Sequence, residues 1–215
     1  VYYDNYLKNP ENGIHWLNNK YIINSYGAMG ILLTAKKLFE KIINQNKGKE
    51  DYRYLILEDD VCFHKNFNKL VQNNIKKFHS DYDIIYLGAN QDKWTNLTEE
   101  QIKNNNFYNV QNEKYQWNYG AFAMILNKKS IELIYKRISN ISKIKWTYDL
   151  IIWWVICEES LRSIIFYPNF IIADLRDSDN MGFRKNEEIA KKIRWNLCDY
   201  NINNYKISES YDNLK

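Results

Sequence analysis

Short β-rich apolar runs alternate with amphipathic stripes along this chain, and that alternation limits the possible folds more than any single motif does. Ser25 can cap a helix in which Ala28, Ile31, Leu32, Ala35, Leu38, Phe39 and Ile42 recur at helical spacing. Tyr52 to Leu57 reads as a strand that ends on three consecutive acids, Glu58, Asp59 and Asp60. Phe67, Leu70, Val71, Ile75 and Phe78 give a second helical stripe, and Asp83 to Gly88 (DIIYLG) a buried strand. Tyr119 to Leu126 (YGAFAMIL) predicts another strand, after which Asn127 caps a helix presenting Ile131, Ile134, Tyr135 and Ile138 on one face. A further helix is expected from Asp149 to Arg162. Strand-like pieces then follow at Ser163 to Tyr167 and Phe170 to Ala173, delivering the chain to a second acidic stretch, Asp174 to Asn180. The expectation is an α/β fold built on a mainly parallel sheet with helices on both faces. The 215 residues suit one domain over 1–215, with no repeat or linker and a polar tail after about Asp199 expected to pack loosely. Ligands bind beyond the carboxyl ends of strands in such sheets, which is where both acidic stretches fall.

Composition narrows the chemistry. The chain has 7 Gly and 2 Pro, against averages of roughly 7% and 5%, and contains neither GxGxxG nor GxxxxGK. A glycine cradle of backbone amides is therefore not the device for a phosphorylated ligand, and a metal ion or side chains must offset its charge. The 30 basic and 26 acidic residues are mixed along the chain, so nucleic acid is not implied. The longest apolar stretches, GAMGILL from Gly27 and DLIIWWVIC from Asp149, fall short of the roughly 20 residues of a membrane helix, which predicts a soluble chain with no membrane span. Cys62, Cys157 and Cys198 are widely spaced and suggest buried thiols rather than a disulfide frame or a zinc site. The opening VYYDNY, with no initiator Met and no basic-then-apolar leader, reads as a trimmed start.

Three adjacent carboxylates after an apolar strand repel one another and are costly near a core unless a cation or several donors offset them. Mg²⁺ and Mn²⁺ prefer oxygen ligands, usually one or two carboxylates plus substrate phosphate oxygens. Glu58 and Asp60 project to the same face of an extended backbone and could share an ion, leaving Asp59 for a neighbouring ribose or sugar. The same triplet also suits a solvated turn or a helix cap. From Ala89 to Gln116 the chain is polar, Asn-rich and longer than the usual connection of about 4 to 6 residues, and Gln91 to Gln116 is expected to cover a ligand. Trp94 and Trp117 offer flat faces for a sugar or base, whereas Trp153 and Trp154 read as core. His15, His64 and His79 lack sequence partners and read as surface or packing residues.

YLILEDDVCFHKNF, from Tyr54 to Phe67, resembles the signature of glycosyltransferase family 25, which contains lipooligosaccharide and procollagen galactosyltransferases. SYGAMGILLTAKKLFEKI (Ser25 to Ile42) is similar to the helix before the acidic strand in that family, and DIIYLGA (Asp83 to Ala89) to the strand after it. YGAFAMILNKKSIELI (Tyr119 to Ile134) resembles the family's small-residue strand and the helix that follows, and Asp149 stands where the family places an acid before its next helix. The resemblance, spanning roughly Ser25 to Asn180, implies a GT-A-like fold, a Rossmann-type mainly parallel sheet flanked by helices, binding a UDP-hexose, galactose or glucose, through Mn²⁺ or Mg²⁺. It further implies an inverting transfer to a hydroxyl of a glycan or of hydroxylysine in a collagen-like chain. Under it, Glu58, Asp60 and Asp174 are the candidate metal ligands, Asp59, Trp117 and Tyr119 the candidate donor contacts, and Asp149, backed by Asp177 and Asp179, the candidate base. The chain departs from the family pattern in having Thr34-Ala35 in place of a Ser-His pair and in having no His after His79, and VYYDNY resembles the segment just after the family's first strand, which is therefore expected to be missing from this sequence. Two other readings use the same residues: an inactive relative that binds carbohydrate or nucleotide sugar, and a metal-dependent phosphotransferase or nuclease.

Overall fold

The computed structural model describes residues 15–16, 20–21, 26–78, 81–91, 108–109, 118–139, 147–166, 169–173 and 205. Its elements, in order, are β1 (His15–Trp16), β2 (Lys20–Tyr21), α1 (Tyr26–Gln45), β3 (Arg53–Leu57), β4 (Val61–Phe63), α2 (Phe67–Phe78), β5 (Ile84–Gln91), β6 (Tyr108–Asn109), β7 (Asn118–Asn127), α3 (Lys128–Ser139), α4 (Tyr148–Glu158), β8 (Ser163–Ile165) and β9 (Ile171–Ala173). β3, β7, β5, β8 and β6 lie side by side in that order in one sheet. Among the described residues of this sheet only β5 and β8 pair in parallel; β3 with β7, β5 with β7, and β6 with β8 are antiparallel. The sheet is therefore mixed, not mainly parallel as the helix and strand alternation suggested. The physical reason is β7, which inserts antiparallel between β3 and β5 and so separates two strands that run the same way.

Alternation along the strands divides the core in two. Ile84, Tyr86, Met124, Leu126 and Ile165 face α1, α3 and α4, where Leu32, Phe39, Ile134 and Ile152 complete one cluster. Ile85, Leu87, Ala123 and Ile164 face the other way, against Leu70 of α2 and Ile171 and Ile172 of β9. Ile31 and Leu38 of α1, placed on the core face by their spacing, are instead 39% and 37% exposed. They sit at the margin of the stripe that Leu32, Ala35, Phe39 and Ile42 bury.

The helix ends follow from local chemistry. Asn127 caps α3 as expected, its Oδ1 accepting from the Ser130 amide at 2.9 Å. α4 stops at Glu158 rather than continuing to Arg162, because Ser160 adopts a left-handed φ of 49°. The Leu161 amide then donates back to the Ile156 carbonyl at 3.0 Å, closing the end as a Schellman turn does.

β9 leaves the main sheet and pairs antiparallel with β4, a strand the sequence pattern did not reveal, with Val61 opposite Ala173 and Phe63 opposite Ile171. This ribbon presses on β5 at Gly88, where an added Cβ would lie 1.8 Å from the Ile171 carbonyl oxygen. Tyr205, from the tail expected to pack loosely, is 4% exposed. It bridges to His64, its ring meets the His64 imidazole edge-on at 5.2 Å, and its hydroxyl donates to the Asn169 carbonyl at 2.7 Å. His64 is thus a packing residue, as expected, with burial lowering its pKa. Cys62 is buried and Cys157 half-buried, neither of them in a disulfide, and Cys198 lies outside the described residues. Trp153 is core, Trp154 half-buried. No helix among the described residues is long and apolar enough to cross a membrane.

Candidate active site

β3 and β5 run the same way and β7 runs against them, so the carboxyl ends of β3 and β5 and the amino end of β7 share one edge of the sheet. The acidic triplet sits there. The β3–β7 ladder pairs Leu57 with Ala123 and goes one step further, the Glu58 amide donating to the Phe122 carbonyl at 3.0 Å. That last bond keeps Glu58 in register with the sheet, and Asp59 and Asp60 then turn into β4, exposed.

On an extended backbone Glu58 shares the face of Ile56, which packs against the helical cluster. Its carboxyl is mostly buried and its pKa is pushed up to about 7, first by desolvation and then by the neighbouring Asp60, Asp149 and Asp59. Tyr148, the first residue of α4, is buried beside it, and its phenol is raised by burial together with Tyr86 and Glu58. Acids from β3 and from α4, some 90 positions apart in sequence, thus meet at one place.

Asp149 reaches that place from the first turn of α4, where the helix dipole favours a negative charge. Gly120, with φ 78°, turns its amide toward α4 and donates to Asp149 Oδ2 at 3.1 Å. Oδ1 accepts from the Thr147 hydroxyl at 2.5 Å and from the Leu150 amide at 3.0 Å. Sequence reasoning missed Gly120 and Thr147 as partners of Asp149. A glycine inside a strand pattern does signal close approach or a bulge, but not what approaches it.

The remaining sequence candidates divide by position. Tyr119 belongs to β7 and pairs with Asn90. Trp94, Trp117, Asp174, Asp177 and Asp179, and the interior of the expected cover apart from the two-residue strand β6 at the sheet edge, lie outside the described residues. Thr34 is exposed on α1 and Ala35 is buried in the helical cluster. A depression lined by Glu50, Asp51, Lys128, Glu132 and Lys136 opens at the opposite end of β3 and contains none of the candidate residues.

For a metal ion, the described residues contain no group of three or more His, Cys, Asp or Glu side chains in ligating proximity. Glu58 and Asp60 nevertheless fit a hard divalent cation, because such ions commonly take one or two carboxylates and complete their shell with water and phosphate oxygens. Burial raises the Glu58 pKa first and the crowding of Asp60, Asp149 and Asp59 raises it further, and that crowding is the charge imbalance a cation would relieve.

A mixed α/β sheet with carboxylates gathered beyond its strand ends is a frame on which a ligand can be bound. A family model described as glycosyltransferase family 25 (LPS biosynthesis protein) matches residues 18–144, more than half of the chain, and the chain belongs to that family. No curated protein matches it. The matched span runs from β2 through α3 and includes Glu58, Asp59, Asp60 and Gly120, but it ends before Thr147 and Asp149. It supports a glycosyltransferase role, with a sugar donor and a glycan acceptor.

Proposed function

We propose that the chain is a metal-dependent, inverting hexosyltransferase that moves galactose or glucose from a UDP-sugar to a hydroxyl of a glycan of the lipopolysaccharide kind. The observation that carries this reading is the meeting of two carboxylate sets at one sheet edge, the β3 triplet inside the family match and Asp149 of α4 outside it. Glu58 and Asp60 would hold Mn²⁺ or Mg²⁺, with Asp59 beside the donor's ribose or sugar. Asp174 is the third proposed ligand, since it follows Ala173, which pairs with Val61, the residue after Asp60. When bound, the ion would offset the charge that builds on the departing diphosphate.

Asp149 would take the proton of the acceptor hydroxyl. The acceptor oxygen forms a new bond to the anomeric carbon as the bond to the diphosphate breaks, so UDP leaves and the configuration inverts. Asp149 then returns the proton to solvent. Asp177 and Asp179 are the alternative bases, and Tyr119 and Trp117 the proposed aromatic walls of the donor site. The family's description as an LPS biosynthesis protein supports a glycan over a collagen-like acceptor.

A ligand that binds the folded state alone stabilises it by mass action. Thermal melting with Mn²⁺ and each of UDP, UDP-galactose, UDP-glucose, ADP and free hexoses tests the donor. A rise with the uridine ligands that needs Mn²⁺ and is absent with ADP is expected. Equal rises with ADP and UDP would contradict the uridine donor, and a rise with free sugars alone would point to a carbohydrate-binding relative.

A further inference from the structure

Thr147 occupies the N-cap position of α4, with an extended backbone of φ −61° and ψ 160°. A threonine there ordinarily accepts a hydrogen bond from an amide in the first turn. Here it makes no such side-chain bond, although its carbonyl accepts from the Ile151 amide at 2.9 Å. Its hydroxyl instead donates to Asp149 Oδ1 at 2.5 Å. The side chain is therefore used on the carboxylate and not on the helix end.

The donors around Asp149 are unequally shared. Oδ1 accepts from Thr147 and Leu150, which occupies both lone pairs of that oxygen, whereas Oδ2 accepts only from Gly120 among the described residues. Oδ2 thus keeps one lone pair without a donor among the described residues, and Glu58, at the end of β3, lies close enough to Asp149 to feel its charge. The Leu150 donor is the neighbouring backbone amide, which lets the carboxylate swing about its own side-chain bonds. Thr147 and Gly120 clamp it from two different elements, one on each oxygen.

We infer that Thr147 is a positioning residue, whose hydroxyl holds the Asp149 carboxylate so that a single Oδ2 lone pair faces the acceptor. This rests on the reading of Asp149 as the base and adds a residue beyond the span of the family match. The acceptor hydroxyl would have to present its proton to Oδ2 from the one open direction, which fixes how its oxygen is turned toward the anomeric carbon. A carboxylate free to rotate would spend much of its time with no lone pair in line, and small misplacements of a catalytic group cost large factors in rate.

The test compares the parent with Thr147→Val, which keeps the shape without the hydroxyl, Thr147→Ser, which restores it, and Asp149→Asn. The first readout is UDP release from UDP-galactose and UDP-glucose with Mn²⁺, water serving as acceptor. Thr147→Val should lower kcat by about 10- to 100-fold with KM for the donor and the melting temperature near the parent's, and Thr147→Ser should recover most of the loss. The second readout needs no donor. Amide hydrogen exchange at Gly120 should quicken in Thr147→Val and return in Thr147→Ser, while the first-turn amides of α4 keep their rates. If the α4 amides quicken instead, or if Thr147→Val keeps the parent's kcat while Asp149→Asn loses it, Thr147 is an ordinary helix-end residue and the inference fails alone. If Asp149→Asn keeps the parent's kcat, the base assignment fails first.

Discussion

The Gly120 amide donates to Asp149 Oδ2 at 3.1 Å, tying the amino end of β7 to the first turn of α4 across 29 residues of sequence. Because β7 is also hydrogen-bonded to β3 as far as Glu58, this bond locks α4 and the acidic triplet into one frame. The candidate base and the first of the candidate metal ligands are thus both held at the amino end of a single strand, by Gly120 and by Phe122.

Gly120→Ala should disturb both. A φ of 78° is costly for any residue with a Cβ, and the substitution is expected to lower stability by about 1 to 2 kcal/mol. UDP release should fall further than the stability loss explains, since the amide facing Asp149 would turn away. Urea unfolding together with initial rates checks this; parental values in both would mean that the Gly120 turn has no part in the site.

Binding and chemistry should separate by residue. Asp149→Asn is expected to retain affinity for Mn²⁺ and UDP while lowering transfer by roughly 10² to 10⁴, the range of general-base catalysis. Asp60→Ala should weaken Mn²⁺ and UDP binding together. Calorimetric titration with each variant decides it. Full turnover in Asp149→Asn with loss in Asp177→Asn or Asp179→Asn would move the base to the later acids.

Gly88→Ala tests the close approach of β9 to β5. A methyl group 1.8 Å from the Ile171 carbonyl oxygen, and 2.5 Å from the Phe122 ring, cannot be accommodated without moving backbone. The expected cost is about 3 kcal/mol, at the upper end for overpacking, and the melting temperature should drop accordingly. A melting temperature equal to the parent's would show that the ribbon shifts freely.

The His64–Tyr205 contact should give the protein an acid-side weakness. Burial lowers the His64 pKa from 6.5, and its Nδ1 accepts from the Asn66 amide at 3.0 Å, an arrangement that requires the neutral ring. As pH falls below 6.5 the unfolded chain takes up a proton that the folded one resists. The unfolded state then binds more protons, so stability rises with pH and the His64 contribution is lost toward acid. His64→Gln should flatten this part of the profile in denaturant titrations between pH 5 and 7.5. Tyr205→Ala should destabilise by about 3 kcal/mol through loss of a buried ring; a change within error would mean that the tail is not anchored there.

Much of this molecule is written locally. The stripe Leu32, Ala35, Phe39 and Ile42, the cap at Asn127 and the apolar run through Ile84 and Ile85 specify α1, α3 and β5 from nearest neighbours alone, because helix and strand periods are properties of a dozen residues or fewer. The acids beyond β3 were legible for the same reason, as a charged triplet directly after a β-rich run. Strand partners are not local. Whether β7 lies parallel or antiparallel between β3 and β5, and whether β9 joins the sheet or pairs with Val61 to Phe63, depends on which distant surfaces can be buried together. The sequence by itself therefore determined α1, α3, β5 and the carboxylates at the end of β3. Only the tertiary structure decided that Glu58, Gly120, Thr147 and Asp149 share one edge, because hydrogen bonds spanning 29 to 64 residues form only once both halves of the core have packed.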